Sequence, residues 1–279
     1  MRTIKILLLM FIVSSAVQAQ DTEFKNKGKF YAYWGWNRSA YTQSDIHFKG
    51  ADYDFTLKDV VATDRQTPFS VDKYINPANI TIPQTNYGIG YFFNEHYSVF
   101  VGVDHMKYVT VQNQFLTIDG EIDPSYGVTA EDGSGSPFVD KGIRQTDDFL
   151  KFEHTDGLNY VHVSINRFDD ISSNFGIHSE NFVINLTEGI GAGFLLPRTN
   201  VTLLGKERHD DFHVSGYGIS AQMGFNFVIY KYFFIQTDIR GGYINMPNIR
   251  TTYDKADSAS QDFMYVQAAV MLGGRFKIF

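Results

Sequence analysis

Gly216-Tyr217-Gly218-Ile219-Ser220-Ala221-Gln222-Met223-Gly224-Phe225-Asn226-Phe227 lies within the segment from Phe212 to Tyr230, and its apolar and small-polar residues alternate without a break. The odd positions from Tyr217 to Ile229 are apolar or aromatic. The even positions from Gly216 to Asn226 are Gly, Ser, Gln and Asn. Successive side chains of a β-strand point to opposite faces, so this stretch predicts a strand with one greasy face and one small, polar face. A soluble sandwich seldom sustains that pattern for so long, and it places charges opposite its core. Small uncharged polar groups suit the narrow filled interior of a membrane barrel, with the apolar face toward lipid.

Seven further segments repeat the pattern. After Tyr230-Lys231-Tyr232, residues Phe233, Ile235, Thr237, Ile239 and Tyr243 form one face, and Gln236, Asp238, Arg240 and Gly242 the other. Toward the end of the chain, Val266, Ala268, Val270, Leu272, Phe276 and Ile278 face outward. Gln267, Ala269, Gly273, Arg275 and Lys277 face inward. The others are Phe30 to Asn37, Ile82 to Phe93, Tyr97 to Val111, Leu158 to Phe168 and Phe182 to Leu196. The sequence therefore predicts an all-β fold, an eight-stranded antiparallel up-and-down transmembrane β-barrel over residues 30–279. Its connections alternate in length. Those at 93–97 and 230–232 are tight and 169–181 is intermediate, while 38–80, 112–157, 197–211 and 247–261 are long. Short periplasmic turns and long extracellular loops are the pattern of outer-membrane barrels. Residues 46–60, inside the first long connection, read as a hairpin projecting above the membrane.

The start of the chain predicts export. Arg2 and Lys5 precede the apolar run Ile6 to Val13, too short for a membrane helix, and Val17-Gln18-Ala19 offers a cleavage site. Residues 1–19 are thus expected to be a signal peptide and 20–29 a short periplasmic tail. Cysteine is absent, which excludes disulfides and thiol chemistry. A closed barrel supplies stability by another route, because it leaves no strand edge unpaired. Net charge is −7, against nucleic-acid binding.

The run Gly90-Tyr91-Phe92-Phe93-Asn94-Glu95-His96-Tyr97-Ser98-Val99 resembles the strand-turn-strand hairpin of the small bacterial outer-membrane barrel superfamily. That superfamily includes the OmpA-type transmembrane domain, OmpW-like proteins and related barrels of Bacteroidota. Gly273-Gly274-Arg275-Phe276-Lys277-Ile278-Phe279 is similar to its closing strand. The resemblance implies a location in the bacterial outer membrane. It also implies contact with membrane lipid and lipopolysaccharide, and passage through the barrel insertion machinery.

Polar residues on the inward register are the candidate site. Asp104, His162 and Ser164 would meet if their strands pair, the residue types of a nucleophilic triad, with Asn166 beside them. The bland reading is a lumen hydrogen-bond network of Asp104, His162, Asp238, Arg240, Arg275 and Lys277, in which Asp238 and Arg240 pair. Glu188 breaks the pattern, because strict alternation points it at lipid; a bulge near Gly189 would turn it inward. Eight-stranded lipid A deacylases use a His, a Ser and an acid, and His178, Ser179 and Glu188 are the residues on offer. Their His-aromatic-Ser-Asn run is absent, and His178 and Ser179 fall at the periplasmic end. The loop 112–157 is acidic but carries no calcium-binding spacing, so no metal or cofactor is expected. The favoured reading is a non-enzymatic barrel with a structural or surface-interaction role, its long loops available to an extracellular ligand. The alternatives are a deacylase-like lipid A-modifying enzyme and a narrow channel.

Overall fold

The computed structural model describes residues 25–79, 82–179 and 181–278; the expected signal peptide lies outside them. The described chain forms β1 (Phe30–Tyr41), β2 (Ser44–Lys49), β3 (Tyr53–Val60), β4 (Ala62–Thr63), β5 (Thr85–Phe92), β6 (Tyr97–Thr110) and β7 (Phe115–Ile122). It continues with β8 (Phe138–Arg144), β9 (Leu150–Asp170), β10 (Phe182–Leu195), β11 (Asn200–Leu203), β12 (Gly216–Ile229), β13 (Phe233–Arg250) and β14 (Ser258–Phe276). One short helix, α1 (Val71–Ile75), lies between β4 and β5.

The strands form a single 14-stranded antiparallel sheet, where the sequence reading expected eight strands. Eight of them, in the order β1, β5, β6, β9, β10, β12, β13 and β14, close a ring, because β14 pairs back onto β1. The pairing also fixes the stagger. Stepping between Cα partners from Ala40 through Val266, Gly241, Ala221, Ile190, Ile165, Val99 and Tyr91 leads to Phe30, lower on the same strand. Such a stagger tilts the strands and leaves an interior just wide enough for side chains to fill.

The remaining six strands arise from the long connections. β2 continues the sheet from the upper end of β14, followed by β3, β7 and β8, while β4 and β11 pair with β6 and β9. Half of the expected loop 112–157 is therefore strand, and about half of 247–261 belongs to β13 and β14. A strand tilted through a bilayer needs roughly 9–11 residues. β9, β13 and β14 have 21, 18 and 19, so each runs well beyond such a band.

On the long strands and on β6 the inward register is kept, but the apolar residues pass from the outward to the inward face part-way along. On β14, outward Val266, Val270 and Leu272 are apolar and inward Gln267 is polar, but farther up Phe263 and Tyr265 point inward. β13 passes likewise from outward Ile239, beside inward Arg240, to inward Ile244 and Met246. β6 passes from outward Val101, beside inward Asp104, to inward Met106 and Tyr108. The upper segments, with β2, β3, β7 and β8, enclose an apolar core that includes Phe48, Phe55, Ile118, Phe152 and Phe263. The molecule thus joins a ring that is apolar outside and polar inside to a crown built the usual way around. A smaller aromatic cluster around Tyr31, Phe92, Phe100, Phe168 and Phe234 fills the ring near its short turns.

Candidate functional site

Three inward positions meet at mid-height in the ring. Asp104 on β6, His162 on β9 and Arg240 on β13 are buried and reach into the same space. The Asp104 carboxylate pairs with the Arg240 guanidinium and accepts a 2.6 Å hydrogen bond from the Asn86 amide. His162 Nε2 lies 2.9 Å from Arg240 Nη1 and 3.6 Å from Asp104 Oδ1. Arg240 also donates to Gln222. A second Asn86 hydrogen bond, 2.8 Å long, reaches Gln267, and Asn37 donates to Asn86 at 2.7 Å. Side chains from seven ring strands are thereby hydrogen-bonded into one cluster, in which Asn37 Oδ1, His162 Nδ1 and Gln267 Nε2 are left without a protein partner.

This geometry separates the residues of the expected triad. A catalytic histidine needs a free ring nitrogen facing the nucleophile. His162 Nε2 is engaged by Arg240, and its Nδ1, buried without a hydrogen-bond partner, makes no bond to Ser164. The Ser164 hydroxyl accepts a 3.2 Å hydrogen bond from Asn166, which also donates to Tyr31 at 3.3 Å. Asp104, His162 and Ser164 share the interior but not a proton-transfer path.

The expected pairing of Asp238 with Arg240 is also corrected. The two lie two residues apart on one strand, whereas Asp104 projects from across the interior onto Arg240. Asp238 accepts from Gln236 at 2.8 Å and from Thr187 at 3.4 Å. Gln236 in turn accepts from Asn226 at 3.0 Å, and Asn226 accepts from Arg275 at 2.6 Å. Asp238 and Arg275 are therefore linked through two amides. Arg275 also donates to Asn26 at 2.7 Å and lies 5.3–5.8 Å from the ring centres of Phe92, Phe168 and Phe234. The Asn26 backbone is held by Glu95 at 2.7 Å, which tucks the start of the described chain beneath the ring.

Two further expectations fail. Lys277 is exposed beyond the end of β14 and takes no part in the lumen network. Glu188 does not turn inward, because β10 keeps unbroken register with both neighbours from Asn185 to Leu195. It stays on the outer face, directly across from Arg167 on β9. Opposite charges on facing positions offset each other's desolvation. That cross-strand relation was hidden in the sequence because it depends on register. Arg167 also lies 5.9 Å from the Tyr97 ring and 2.7 Å from Asp169, so this charge cluster sits near the short turns.

The crown holds a different buried polar group. His154 Nδ1 lies 2.9 Å from the Thr199 hydroxyl, and its Nε2 lies 3.2 Å from the Gln261 amide nitrogen. Burial among the crown's apolar side chains pushes its pKa down to about 3. Among the described residues no group of three or more His, Asp or Glu side chains is arranged to hold a metal ion.

No family model and no curated protein matches the chain. Among solved structures it is similar to the outer membrane protein OprG from Pseudomonas aeruginosa. The identity is 11%, the match covers 92% of this chain and 100% of that one, and the TM-score is 0.40. The N-terminal β-barrel domain of Pseudomonas aeruginosa OprF matches at 9% identity over 90% of this chain and 98% of that one, with TM-score 0.31. The attachment invasion locus protein Ail of Yersinia pestis, in complex with a heparin analogue, matches at 10% identity over 90% and 99%, with TM-score 0.30.

Proposed function

We propose that the chain is a bacterial outer-membrane protein whose ring forms an eight-stranded transmembrane barrel, with a structural or surface-interaction role carried by its extracellular crown. The observation that carries this reading is the inversion of the ring. Its outer wall bears apolar side chains on every strand, such as Ile219 with 55% of its surface exposed, while its interior is polar and hydrogen-bonded. In water such a wall would be an apolar patch far larger than soluble monomers show. In a bilayer it is the required lipid-facing surface. Aromatic residues border the band, with Trp34, Trp36, Tyr217 and Tyr243 toward the crown and Phe30, Tyr97, Phe233 and Phe276 toward the short turns.

On this reading residues 1–19 are a cleaved signal peptide, 20–29 are periplasmic, and the insertion machinery places residues 30–279 in the membrane among its lipids and lipopolysaccharide. The filled interior favours this role over a channel, and the bonding of the Ser164 hydroxyl to Asn166, with no bond to His162, favours it over a hydrolase. The crown is the part offered to an extracellular ligand.

Cysteine labelling tests the topology cleanly because the chain has no cysteine of its own. In intact cells an impermeant maleimide should label Tyr126→Cys, in the crown, and leave Glu95→Cys, at a short turn, untouched. Labelling of Glu95→Cys with Tyr126→Cys protected would invert the topology and remove the crown from the cell surface.

A further inference from the structure

We infer that the outer wall of the ring carries a lipid-binding groove for one phosphate-bearing membrane lipid, its acyl chain seated between Trp36 and Phe225 and its headgroup held by Arg38. The inference rests on the membrane reading above.

The groove follows from side-chain size on neighbouring strands. Across β12, β13, β14 and β1 one register row runs Phe225, Thr237, Val270, Trp36, and the next runs Met223, Ile239, Ala268, Arg38. Small Thr237 and Ala268 form the floor together with Val270 and Ile239. Met223 and Phe225, with Leu186 behind them, make one wall. Trp36 and Tyr74 make the other. Strands lie about 4.8 Å apart, so β12 and β1 are separated by ~14 Å along the wall. The groove encloses about 700 Å³, within the range of lipid- and drug-sized sites.

The Tyr74 wall is fastened in place. The Trp36 indole N–H donates to the Tyr74 carbonyl at 3.1 Å, and the Tyr74 hydroxyl donates to the Thr67 carbonyl at 2.6 Å. Lys107 adds hydrogen bonds to the Thr67 hydroxyl at 3.0 Å and the Ile82 carbonyl at 2.7 Å. This anchored segment turns Phe69, Val71 and Ile75 outward at 75%, 67% and 51% exposure. Apolar side chains held at that height beside Trp36 are placed to enter the bilayer interface, as those of interfacial helices do.

Charge selects the headgroup. Arg38 is the next outward residue above Trp36 and is exposed. Among the described residues its guanidinium makes no hydrogen bond or ion pair, and neither does the Lys73 ammonium on α1. Of the carboxylates near this rim, Asp64 already accepts from the Ser39 backbone, Gln66 and Gln84, and Asp72 on α1 accepts from the Asn76 and Asn79 amides. Two cations that make no ion pair, above an apolar groove at the membrane surface, complement an anionic headgroup on an acyl chain.

The two tryptophans of the chain make the test direct. In Trp34→Phe, Trp36 is the sole indole and lines the groove. The full chain is reconstituted in phosphatidylcholine vesicles containing small fractions of phosphatidylglycerol or phosphatidylcholine with brominated acyl chains, which quench indole fluorescence on contact. A control reporter, Trp34→Phe/Trp36→Phe/Val101→Trp, places the indole on the opposite side of the ring. The expected result is about a fivefold preference of Trp36 for the anionic lipid, the effect of one basic side chain near a membrane surface. That preference should vanish in Arg38→Gln, weaken in Lys73→Gln, and be absent at the control position. Equal quenching of Trp36 by both lipids would overturn the groove while leaving the barrel intact. Shielding of Trp36 from both lipids, with the control quenched, would assign the groove to a second copy of the chain and overturn the lipid. Complete relief of the preference by excess inorganic phosphate would assign the rim to free phosphate and overturn it equally. Failure of both lipids to quench even the control would remove the membrane reading itself.

Discussion

Replacing Arg240 by Gln tests whether the ring is filled as its geometry implies. Arg240 is buried and touches Asp104, His162 and Gln222 at once. In Arg240→Gln the Asp104 carboxylate would keep Asn86 and lose its only guanidinium contact. A buried ion pair broken from one side costs ~3–5 kcal/mol, because the surviving charge stays desolvated. Asp104→Asn should cost a similar amount by stranding Arg240. The double variant Asp104→Asn/Arg240→Gln removes both charges and should cost less than the two single losses added, with a coupling of about 0.5–3 kcal/mol. Asp238 supplies the internal control. Its carboxylate is held by Gln236 and Thr187, so Asp238→Asn should couple to Arg240→Gln more weakly than Asp104→Asn does. Urea unfolding in lipid vesicles, followed by Trp34 and Trp36 fluorescence, reads both cycles. Additive, near-zero effects would mean that water solvates these groups and the ring is an open pore. Stronger coupling to Asp238 than to Asp104 would refute the pairing across the interior.

The crown gives two further tests. His154 has its pKa depressed to about 3 by burial, so protonation favours the unfolded chain. Its stabilising contribution is fully present above the ordinary histidine value of ~6.5 and declines by at most about 1.4 kcal/mol per unit as pH falls toward 3. His154→Gln should flatten that slope, and an unchanged acid limb in crown unfolding would show that the slope arises elsewhere. Phe152 is fully buried, its ring edge-on to Phe48 at 5.7 Å. Phe152→Ala should cost about 3–5 kcal/mol. The loss should appear as faster hydrogen exchange in β2, β3 and β7, with the protection of β10 and β12 retained. Equal loss in β10 and β12 would mean that crown and ring open as one unit.

Alternation was legible in the sequence wherever one face of a strand stayed apolar throughout the readable stretch. β12 is such a strand, and its segment was bounded almost correctly because it scarcely enters the crown. β9, β13 and β14 were cut short for a physical reason. Where the apolar face moves from outside to inside, neighbouring residues are apolar on both faces, as in Phe263-Met264-Tyr265-Val266, and period-2 contrast disappears. A one-residue change of parity carries no marker of which side is lipid. The same loss hid β7 and β8 inside an acidic connection, although Leu116, Ile118 and Ile122 alternate along β7. In the lumen, the inward residues of the network were readable from parity, apart from Lys277, but their partners were not. Partners depend on strand order and stagger, which join Arg240 to Asp104, 136 positions away, in preference to Asp238 on the same strand.

The change of parity also bears on where a partner can act. At mid-height the ring interior is occupied by the hydrogen-bonded cluster around Asp104 and Arg240. Near the short turns it is occupied by Arg275 against three aromatic rings, and in the crown by an apolar core. Opening a passage would require breaking a desolvated ion pair and two packed clusters together. Substitutions that only re-aim surface loops disturb none of these layers. On the surface-interaction role proposed above, recognition can therefore vary on the acidic outer faces of β3, β7 and β8 while the ring stays fixed. There Lys58 already bridges Asp119 and Asp140 in the open, at the modest energetic value of exposed ion pairs. The outer wall is the second free surface. Its chemistry is set by residues such as Arg38 and Ala268, which contribute little to the lumen network, so on the membrane reading proposed above lipid contact and lumen stability can change independently.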